Sequence, residues 1–212
     1  MKRFAPYGWA MALCQALLLV MAPPAAARDR LILAFGDSLT AGYGLKAQEA
    51  FPAQLEAALR RKGLAVRVHN AGVSGDTTSA ARGRLGWVLA GLKAKPDLVI
   101  LELGANDMLR GQPPAQARAN LEAMLVELKK RRIPVLLAGM KASYNLDQRY
   151  RQAFDSMYPA LAKKHGAKLY PFFMDGVAGN RSLLIADQMH PNAKGVATIV
   201  RRILPSVEAA LR

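Results

Sequence analysis

The stretch Leu31-Ile-Leu-Ala-Phe-Gly-Asp-Ser-Leu39 decides the fold and locates a candidate site. It begins as an apolar run of strand length, stops at Gly36-Asp37, and continues with a serine where a helix can begin. In open α/β sheets, ligands bind outside the carboxyl ends of the strands, so Ser38 is expected at the mouth of a site. A serine after Gly-Asp is also typical of a helix N-cap, and taken alone it is more often a cap than a nucleophile.

Five short apolar runs alternate with longer segments whose apolar residues recur at helical spacing. Strict alternation of strands and helices favours βαβ units, right-handed crossovers and a parallel sheet with both faces covered. We therefore predict an α/β fold with a five-stranded parallel sheet whose carboxyl-end loops share one rim. The five runs are Leu31–Phe35, Ala65–His69, Leu98–Leu103, Val135–Gly139 and Lys168–Phe172.

The first 27 residues have the layout of a secretory signal peptide, with the alternative of an uncleaved membrane anchor. Lys2 and Arg3 form a basic start, residues 8–21 are apolar except for one glutamine, and Ala25-Ala26-Ala27 offers a small-residue cleavage pattern. The apolar run is shorter than the roughly 18 to 20 residues that a membrane span prefers. We predict cleavage near Ala27, a periplasmic or secreted location, and a single domain over residues 28–212.

The charge balance is strongly basic, with 30 Lys and Arg residues against 15 Asp and Glu. Such a balance raises nucleic acid, anionic lipid or acidic substrates as partners. The clusters Arg60–Lys62, Lys129–Arg132 and Lys163-Lys164, however, end predicted helices, where cations complement the macrodipole and face away from the rim. We therefore expect no nucleic acid partner, at most peripheral membrane contact, and a monomer. The single cysteine, Cys14, lies in the predicted signal peptide, so the mature chain has no thiolate nucleophile.

Asp187 and His190 stand three residues apart in the connection before the last helix. A carboxylate at that spacing can bind the imidazole Nδ1–H and leave Nε2 free as a general base. A hydroxyl is a weak nucleophile without such a base, so Ser38 with this pair makes a catalytic triad in the order Ser, Asp, His. By itself, the pair is equally well explained as a cap and a surface histidine. His69 and His165 have no partners at metal-ligand spacing, so no metal site is predicted.

The loops after the second and third predicted strands offer donors for a developing oxyanion. We expect an oxyanion hole formed by the backbone N–H groups of Ser38 and Gly75 and the side-chain amide of Asn106. Each loop alone is better explained as an ordinary turn. The Gly36–Gly44 loop has neither Gly-x-Gly-x-x-Gly nor Gly-Lys-Ser/Thr, and no Gly-x-Ser-x-Gly surrounds Ser38. Nucleotide binding is therefore not indicated, and no cofactor is expected.

Four blocks in this order resemble the SGNH (GDSL) hydrolase superfamily: Gly36–Leu39, the Gly75 loop, Gly104–Asp107 and Asp187–His190. Longer matches, such as Glu-Leu-Gly-Ala-Asn-Asp-Met-Leu-Arg-Gly and His-Pro-Asn, resemble the periplasmic multifunctional thioesterase I, arylesterase and lysophospholipase group, over residues 31–211. The resemblance implies a flavodoxin-like three-layer α/β/α sandwich. It also implies Ser38 as nucleophile, His190 as base, Asp187 as its orienting partner, and the oxyanion donors named above.

The function expected from these observations is an exported serine acyl hydrolase that cleaves carboxylic esters and thioesters through an acyl-enzyme. The resemblance implies activity of the arylesterase, acyl-CoA thioesterase or lysophospholipase type, on a small-molecule acyl ester, thioester or lysophospholipid. Two alternatives remain open at this point. One is a carbohydrate (acetyl) esterase of the same superfamily, and the other is a non-catalytic protein that binds an anionic surface.

Overall fold

The computed structural model describes residues 28–212, and the predicted signal peptide lies outside the described residues. Strands and helices alternate as predicted. Four strands lie within one or two residues of their expected bounds, and the second ends three residues later than expected, at Gly72. The strands are β1 (Arg30–Gly36), β2 (Val66–Gly72), β3 (Leu98–Glu102), β4 (Val135–Ala138) and β5 (Lys168–Tyr170). The helices are α1 (Ser38–Ala41), α2 (Phe51–Arg61), α3 (Thr78–Gly91), α4 (Ala105–Leu109), α5 (Pro114–Lys130), α6 (Gln148–His165) and α7 (Ala193–Ala210), and single 3₁₀ turns lie at Ala47–Glu49 and Arg181–Leu183.

The five strands form one parallel sheet in the order β2-β1-β3-β4-β5. Helices cover both faces, α2 packing on α7 and the row α3, α5 and α6 packing together. The predicted α/β fold class, a three-layer sandwich, is therefore confirmed. The central strands are buried throughout, from Ile32 to Gly36 in β1 and along all of β3, because a parallel sheet covered on both faces leaves no wet side.

The register of the sheet brings the rim loops to one level. Gly36, the last residue of β1, pairs with Gly72 at the end of β2 and with Glu102 at the end of β3. The three chain segments that leave these strands carry Ser38, Gly75 and Asn106. Because the three strand ends are aligned, the three loops that follow them lie beside one another. No long insertion is needed to bring the loops together.

Helix α1 is pressed against the end of β2 where β2 has a glycine. A Cβ added at Gly72 would lie 2.3 Å from the backbone nitrogen of Ala41 and 2.8 Å from the carbonyl oxygen of Asp37. Gly42 ends the helix in the left-handed conformation, with φ of 85°. The close backbone contact fixes the height of α1, and with it Ser38, above the sheet.

The ends of the long helices bear the basic residues that the sequence places there. The last turns of α2 and α5 contain Arg60, Arg61, Lys129 and Lys130. These helices run back from the rim, so their carboxyl ends lie at the opposite end of the sheet. Within residues 28–212, no helix is long and apolar enough to cross a membrane. The segment between Gly104 and Gly111, expected as loop, contains the short helix α4.

Candidate active site

Ser38, His190 and Asp187 lie in one hydrogen-bonded row. His190 Nε2 lies 2.9 Å from Ser38 Oγ, and His190 Nδ1 lies 2.6 Å from Asp187 Oδ2. The ring of His190 is mostly buried, with 17% of the side chain exposed. An Nδ1–H that donates to the carboxylate leaves Nε2 to accept the serine hydrogen. The structure thus brings together the three residues that the sequence predicts as a triad, 152 positions apart at their extremes.

The backbone of the turn from Asp187 to His190 fixes the carboxylate of Asp187 in place. Asp187 Oδ1 accepts the backbone N–H groups of Met189 and His190 at 2.9 and 3.0 Å, while Oδ2 faces the imidazole. Gln188 adopts a positive φ of 60°, which closes this turn. Desolvation opposes ionisation, but the two backbone N–H groups and the His190 ring outweigh it and lower the pKa of Asp187 to about 2. The carboxylate is therefore ionised and fixed at neutral pH.

Ser38 is the first residue of α1, and the N-cap is its neighbour Asp37. Asp37 Oδ1 accepts the N–H of Leu39 at 3.0 Å. The interpretation of Ser38 as the N-cap, which the sequence alone favours, is wrong, because the carboxylate of Asp37, one residue earlier, takes the cap role. Ser38 Oγ is thereby released for His190. The Ser38 N–H belongs to the first turn, where N–H groups have no intrahelical acceptor.

The two other expected oxyanion donors lie beside Ser38. Gly75 and Asn106 line the same cleft as Ser38 and His190. Gly75 has a φ of 84°, a backbone conformation that favours glycine, and its carbonyl accepts from Arg110 Nη2 at 2.8 Å. Asn106 Nδ2 donates to Asp37 Oδ2 at 3.1 Å and to the Asp76 carbonyl at 3.0 Å, so both amide hydrogens already have acceptors.

Sequence reasoning missed several side chains that support these loops. Asp76 accepts from Arg84 Nε at 2.6 Å, and Arg84 Nη2 also donates to the carbonyl of Gly36 at 3.0 Å. Asp107 is buried and accepts from the backbone N–H and the hydroxyl of Thr78 at 2.8 and 2.6 Å. Both carboxylates stand inside the recognised blocks, but only their partners, 8 and 29 residues away, reveal their role.

A pair of buried carboxyl groups lies beneath Ser38. Asp37 and Glu102 are both fully buried. Desolvation raises the pKa of Asp37 to about 6, against hydrogen bonds from Leu39 and Asn106 that lower it. Desolvation and the charge of Asp37 raise the pKa of Glu102 well above its ordinary value. Thr40 Oγ1 donates to Glu102 Oε2 at 2.8 Å, whereas Oε1 has no hydrogen-bond partner within residues 28–212.

The row of Ser38, His190 and Asp187 opens into a cleft of about 560 Å³. Tyr43 stands at its mouth, 52% exposed, with its ring centroid 4.7 Å from that of His190. One wall carries Lys141, whose Nζ lies 5.4 Å from the centroid of Phe172. The apolar lining comes from the rim loops and consists of Leu39, Met108, Leu109, Met140, Phe172, Met174, Leu184 and Met189.

The remaining histidines lie away from this cleft. His165, at the end of α6, contacts Glu122 at 3.3 Å, and His69 is in β2. Among residues 28–212 there is no group of three or more His, Cys, Asp or Glu side chains that could hold a metal ion.

Comparisons with known proteins agree with this geometry. The model of the GDSL-like lipase/acylhydrolase family matches residues 34–197. The chain is 36% identical to "Esterase TesA" of Pseudomonas aeruginosa over 93% of this chain and 96% of that protein. It is 39% identical to "Thioesterase 1/protease 1/lysophospholipase L1" of Escherichia coli K12 over 79% of this chain and 78% of that protein.

A solved structure gives the same result. The crystal structure of AlinE4, described as an SGNH-hydrolase family esterase, superposes with a TM-score of 0.74 at 51% identity, over 87% of this chain and 98% of that chain. The resemblance seen in the four sequence blocks is therefore confirmed across nearly the whole described fold. This chain belongs to the GDSL-like lipase/acylhydrolase family, the SGNH hydrolases, and is an esterase.

Proposed function

We propose that the chain is an exported serine acyl hydrolase that cleaves carboxylic esters and thioesters through a Ser38-His190-Asp187 triad. The observation that carries the proposal is the row of hydrogen bonds from Ser38 through His190 to Asp187, at 2.9 and 2.6 Å, opening into the cleft. An ionised, fixed Asp187 holds the imidazole with Nδ1–H toward the carboxylate. His190 then accepts the Ser38 proton as the hydroxyl oxygen attacks the acyl carbon.

The oxyanion of the tetrahedral intermediate would be bound by the N–H groups of Ser38 and Gly75 and by the Asn106 amide. To take this role, Asn106 must turn the amide N–H that donates to the Asp76 carbonyl toward the oxyanion. Its other amide N–H continues to donate to Asp37. His190 next protonates the alcohol or thiol leaving group, which departs and leaves an acyl ester on Ser38. His190 then takes a proton from water, which attacks that ester, and returns this proton to the serine oxygen as the acid leaves, so that the free serine and the neutral imidazole are restored.

The lining of the cleft favours a substrate with an apolar acyl chain. Methionine and leucine side chains from the rim loops surround the space next to Ser38, and flexible methionines adapt to chains of different length. Lys141 and Arg110 stand near the mouth and suit an anionic head group. An acyl thioester or a lysophospholipid fits this combination, and the relatives named esterase and thioesterase/lysophospholipase support it.

Export is proposed from residues 1–27, with cleavage near Ala27 and a folded unit over residues 28–212. Arg28 pairs with both carboxylate oxygens of Asp97 at 2.7 and 2.8 Å, so the first described residue is already tied to the fold. A periplasmic or secreted location follows from the proposed signal. Cell fractionation with N-terminal sequencing of the mature protein tests this part, and a protein that keeps its first 27 residues would contradict it.

The hydrolase proposal is tested by Ser38→Ala, assayed on p-nitrophenyl esters from acetyl to dodecanoyl and on acyl-CoA. We expect the wild type to favour medium acyl chains, and the variant to lose kcat by about 10⁶-fold, as removal of a catalytic serine does, with its fold intact. Strong preference for acetyl esters would contradict the lipid assignment and favour a carbohydrate esterase. Hydrolysis unaffected by Ser38→Ala would contradict the serine mechanism.

A further inference from the structure

The buried side chain of Glu102 is not explained by the triad or by the oxyanion donors. It is the last residue of β3, fully buried, and does not line the cleft. A buried charge without a partner is too costly to keep, so a buried carboxyl group is either paired or neutral. No cation contacts Glu102 among the described residues. The hydroxyl of Thr40 donates to it, and the pKa of Glu102 is raised by burial and the charge of Asp37 and lowered by the Thr40 hydroxyl and the backbone N–H of Asp37.

The two oxygens of Glu102 have different surroundings. Oε2 accepts the Thr40 hydroxyl at 2.8 Å, while Oε1 is enclosed and accepts no hydrogen bond within the described residues. An oxygen that carries a proton needs an acceptor rather than a donor. The carboxylate of Asp37 can serve as that acceptor, because its charge and a side-chain hydrogen bond both act to raise the pKa of Glu102.

Asp37 connects Glu102 to the reacting groups. Its Oδ1 caps α1 through the Leu39 N–H at 3.0 Å, and its Oδ2 accepts one hydrogen of the Asn106 amide at 3.1 Å. With Asp37 as acceptor for one Asn106 hydrogen, the other is directed to the Asp76 carbonyl beside Gly75. The orientation of Asp37 therefore sets both the start of the nucleophile helix and the orientation of the amide.

We propose that Glu102 is a positioning residue that stays a neutral carboxylic acid and donates its Oε1 hydrogen to the Asp37 carboxylate. Glu102 thereby holds Asp37, and through Asp37 it holds α1 and the Asn106 amide in the arrangement that binds the oxyanion. This inference rests on the proposed serine hydrolase function and adds a residue that touches no substrate.

The charged groups around the pair are consistent with a single shared proton. A positive charge on His190 favours the ionised form of Asp37, and the negative charge of Asp76 opposes that form. Asp76 itself pairs with Arg84. On the side of α6, the hydroxyl of Tyr158 donates to the carbonyl of Leu103 at 3.0 Å, and burial and nearby carboxyl groups raise its pKa well above the ordinary value. The proton between the carboxyl groups therefore comes from Glu102 itself.

The kinetic test compares Glu102→Gln with Glu102→Ala. Glutamine keeps a neutral donor of the same shape, so we expect kcat within about threefold of the wild type. Alanine removes the donor, and we expect kcat to fall on the order of 10- to 100-fold while KM changes less than about twofold, because a misplaced oxyanion donor acts on the transition state. Glu122→Gln and Glu122→Ala, on α5 away from the cleft, are the matched controls and should leave kcat unchanged.

A direct measurement uses the wild type with carbon-13 in its glutamate carboxyl groups, and it needs no substrate. The signal absent from Glu102→Gln belongs to Glu102, and at about pH 8, above the ordinary carboxyl range, it should keep the shift of a protonated acid. An ionised shift would overturn the proposal, as would equal losses of kcat in the glutamine and alanine variants or a wild-type kcat in Glu102→Ala. If Glu102→Ala fails to fold, the glutamine variant and the carboxyl signal still decide. An inactive wild type with a protonated Glu102 would instead count against the hydrolase proposal.

Discussion

Replacing Asp187 by asparagine tests whether the turn that holds the carboxylate also dictates the tautomer of His190. Oδ1 accepts two backbone N–H groups, from Met189 and His190, so the introduced amide must keep its oxygen there. Its NH₂ group then faces His190 Nδ1, which has to become the acceptor. The imidazole hydrogen moves to Nε2, 2.9 Å from Ser38 Oγ, and an Nε2–H cannot accept the serine proton.

The size of the effect follows from the same contacts. Nε2 can act as a base only when the amide is turned over, and turning it over loses the two backbone hydrogen bonds, each worth about 1 kcal/mol. The population of this productive orientation is therefore about 3%. Even in that orientation, the imidazolium formed during attack loses a charge-assisted hydrogen bond worth about 1.5–3 kcal/mol. The two factors together predict a fall in kcat of about 10³-fold for Asp187→Asn, with KM nearly unchanged because Asp187 does not line the cleft.

The assay is hydrolysis of p-nitrophenyl butyrate, read as kcat and KM from released p-nitrophenolate, with thermal unfolding to verify the fold. Nitrogen-15 NMR of the His190 ring reports the tautomer directly. The matched control is Asp175→Asn, because Asp175 is an exposed carboxylate that pairs with Arg202 at 3.5 Å, and it should retain kcat within about twofold. A kcat for Asp187→Asn above about one tenth of the wild type, or an unchanged tautomer, would refute the reasoning.

Two further predictions concern stability and its pH dependence. Gly72→Ala places a Cβ 2.3 Å from the Ala41 nitrogen and should lower the free energy of unfolding by about 3 kcal/mol, or about 6–12 °C in Tm by thermal melting. Gly86→Ala, in the middle of α3 with nothing within 4 Å of the added Cβ, should raise it by about 0.5–1 kcal/mol, and equal shifts in the two variants would contradict the steric argument. Burial raises the pKa of Asp37 to about 6 from 3.8, so the folded state keeps a proton that the unfolded chain releases, and the contribution of Asp37 to stability should fall by about 3 kcal/mol as pH rises through that window. The free energy of unfolding, measured with urea at several pH values across this window, should change less steeply with pH in Asp37→Asn than in the wild type. An unchanged pH dependence would contradict this prediction.

The strand pattern and the polar residues after it were enough to predict the architecture and the residues gathered at the rim. Strands at the centre of a covered parallel sheet stand out as short, near-continuous apolar runs, and the carboxyl ends of such strands must meet at one edge. The spacing of Asp187 and His190 also predicts their contact, because a carboxylate three residues before the histidine can reach both the imidazole ring and the N–H groups of the turn. These features are local or follow from topology.

What the sequence does not reveal depends on partners that are distant in the chain. Asp37 and Ser38 are both competent N-caps, and only the structure shows that Asp37 caps α1 while Ser38 faces His190. Glu102 is a polar residue at the end of a strand, where exposure is expected, yet it is fully buried. Asp37, which follows β1, and Thr40 of α1 cover it. Likewise, the Asn106 amide cannot be known to be engaged without the positions of Asp37 and Asp76. Such contacts are set by packing between elements and have no periodic signature.

The separation of Ser38 from His190 along the chain has a consequence for the timing of activity during synthesis. The proposed base, His190, follows the proposed nucleophile, Ser38, by 152 residues, a delay on the order of 10 s at ordinary rates of chain elongation. Helix α7, which follows His190, packs on α2, and until this segment has folded Ser38 has no imidazole beside it. On the proposed mechanism, the chain therefore becomes reactive toward acyl esters only after the segment that contains His190 has folded.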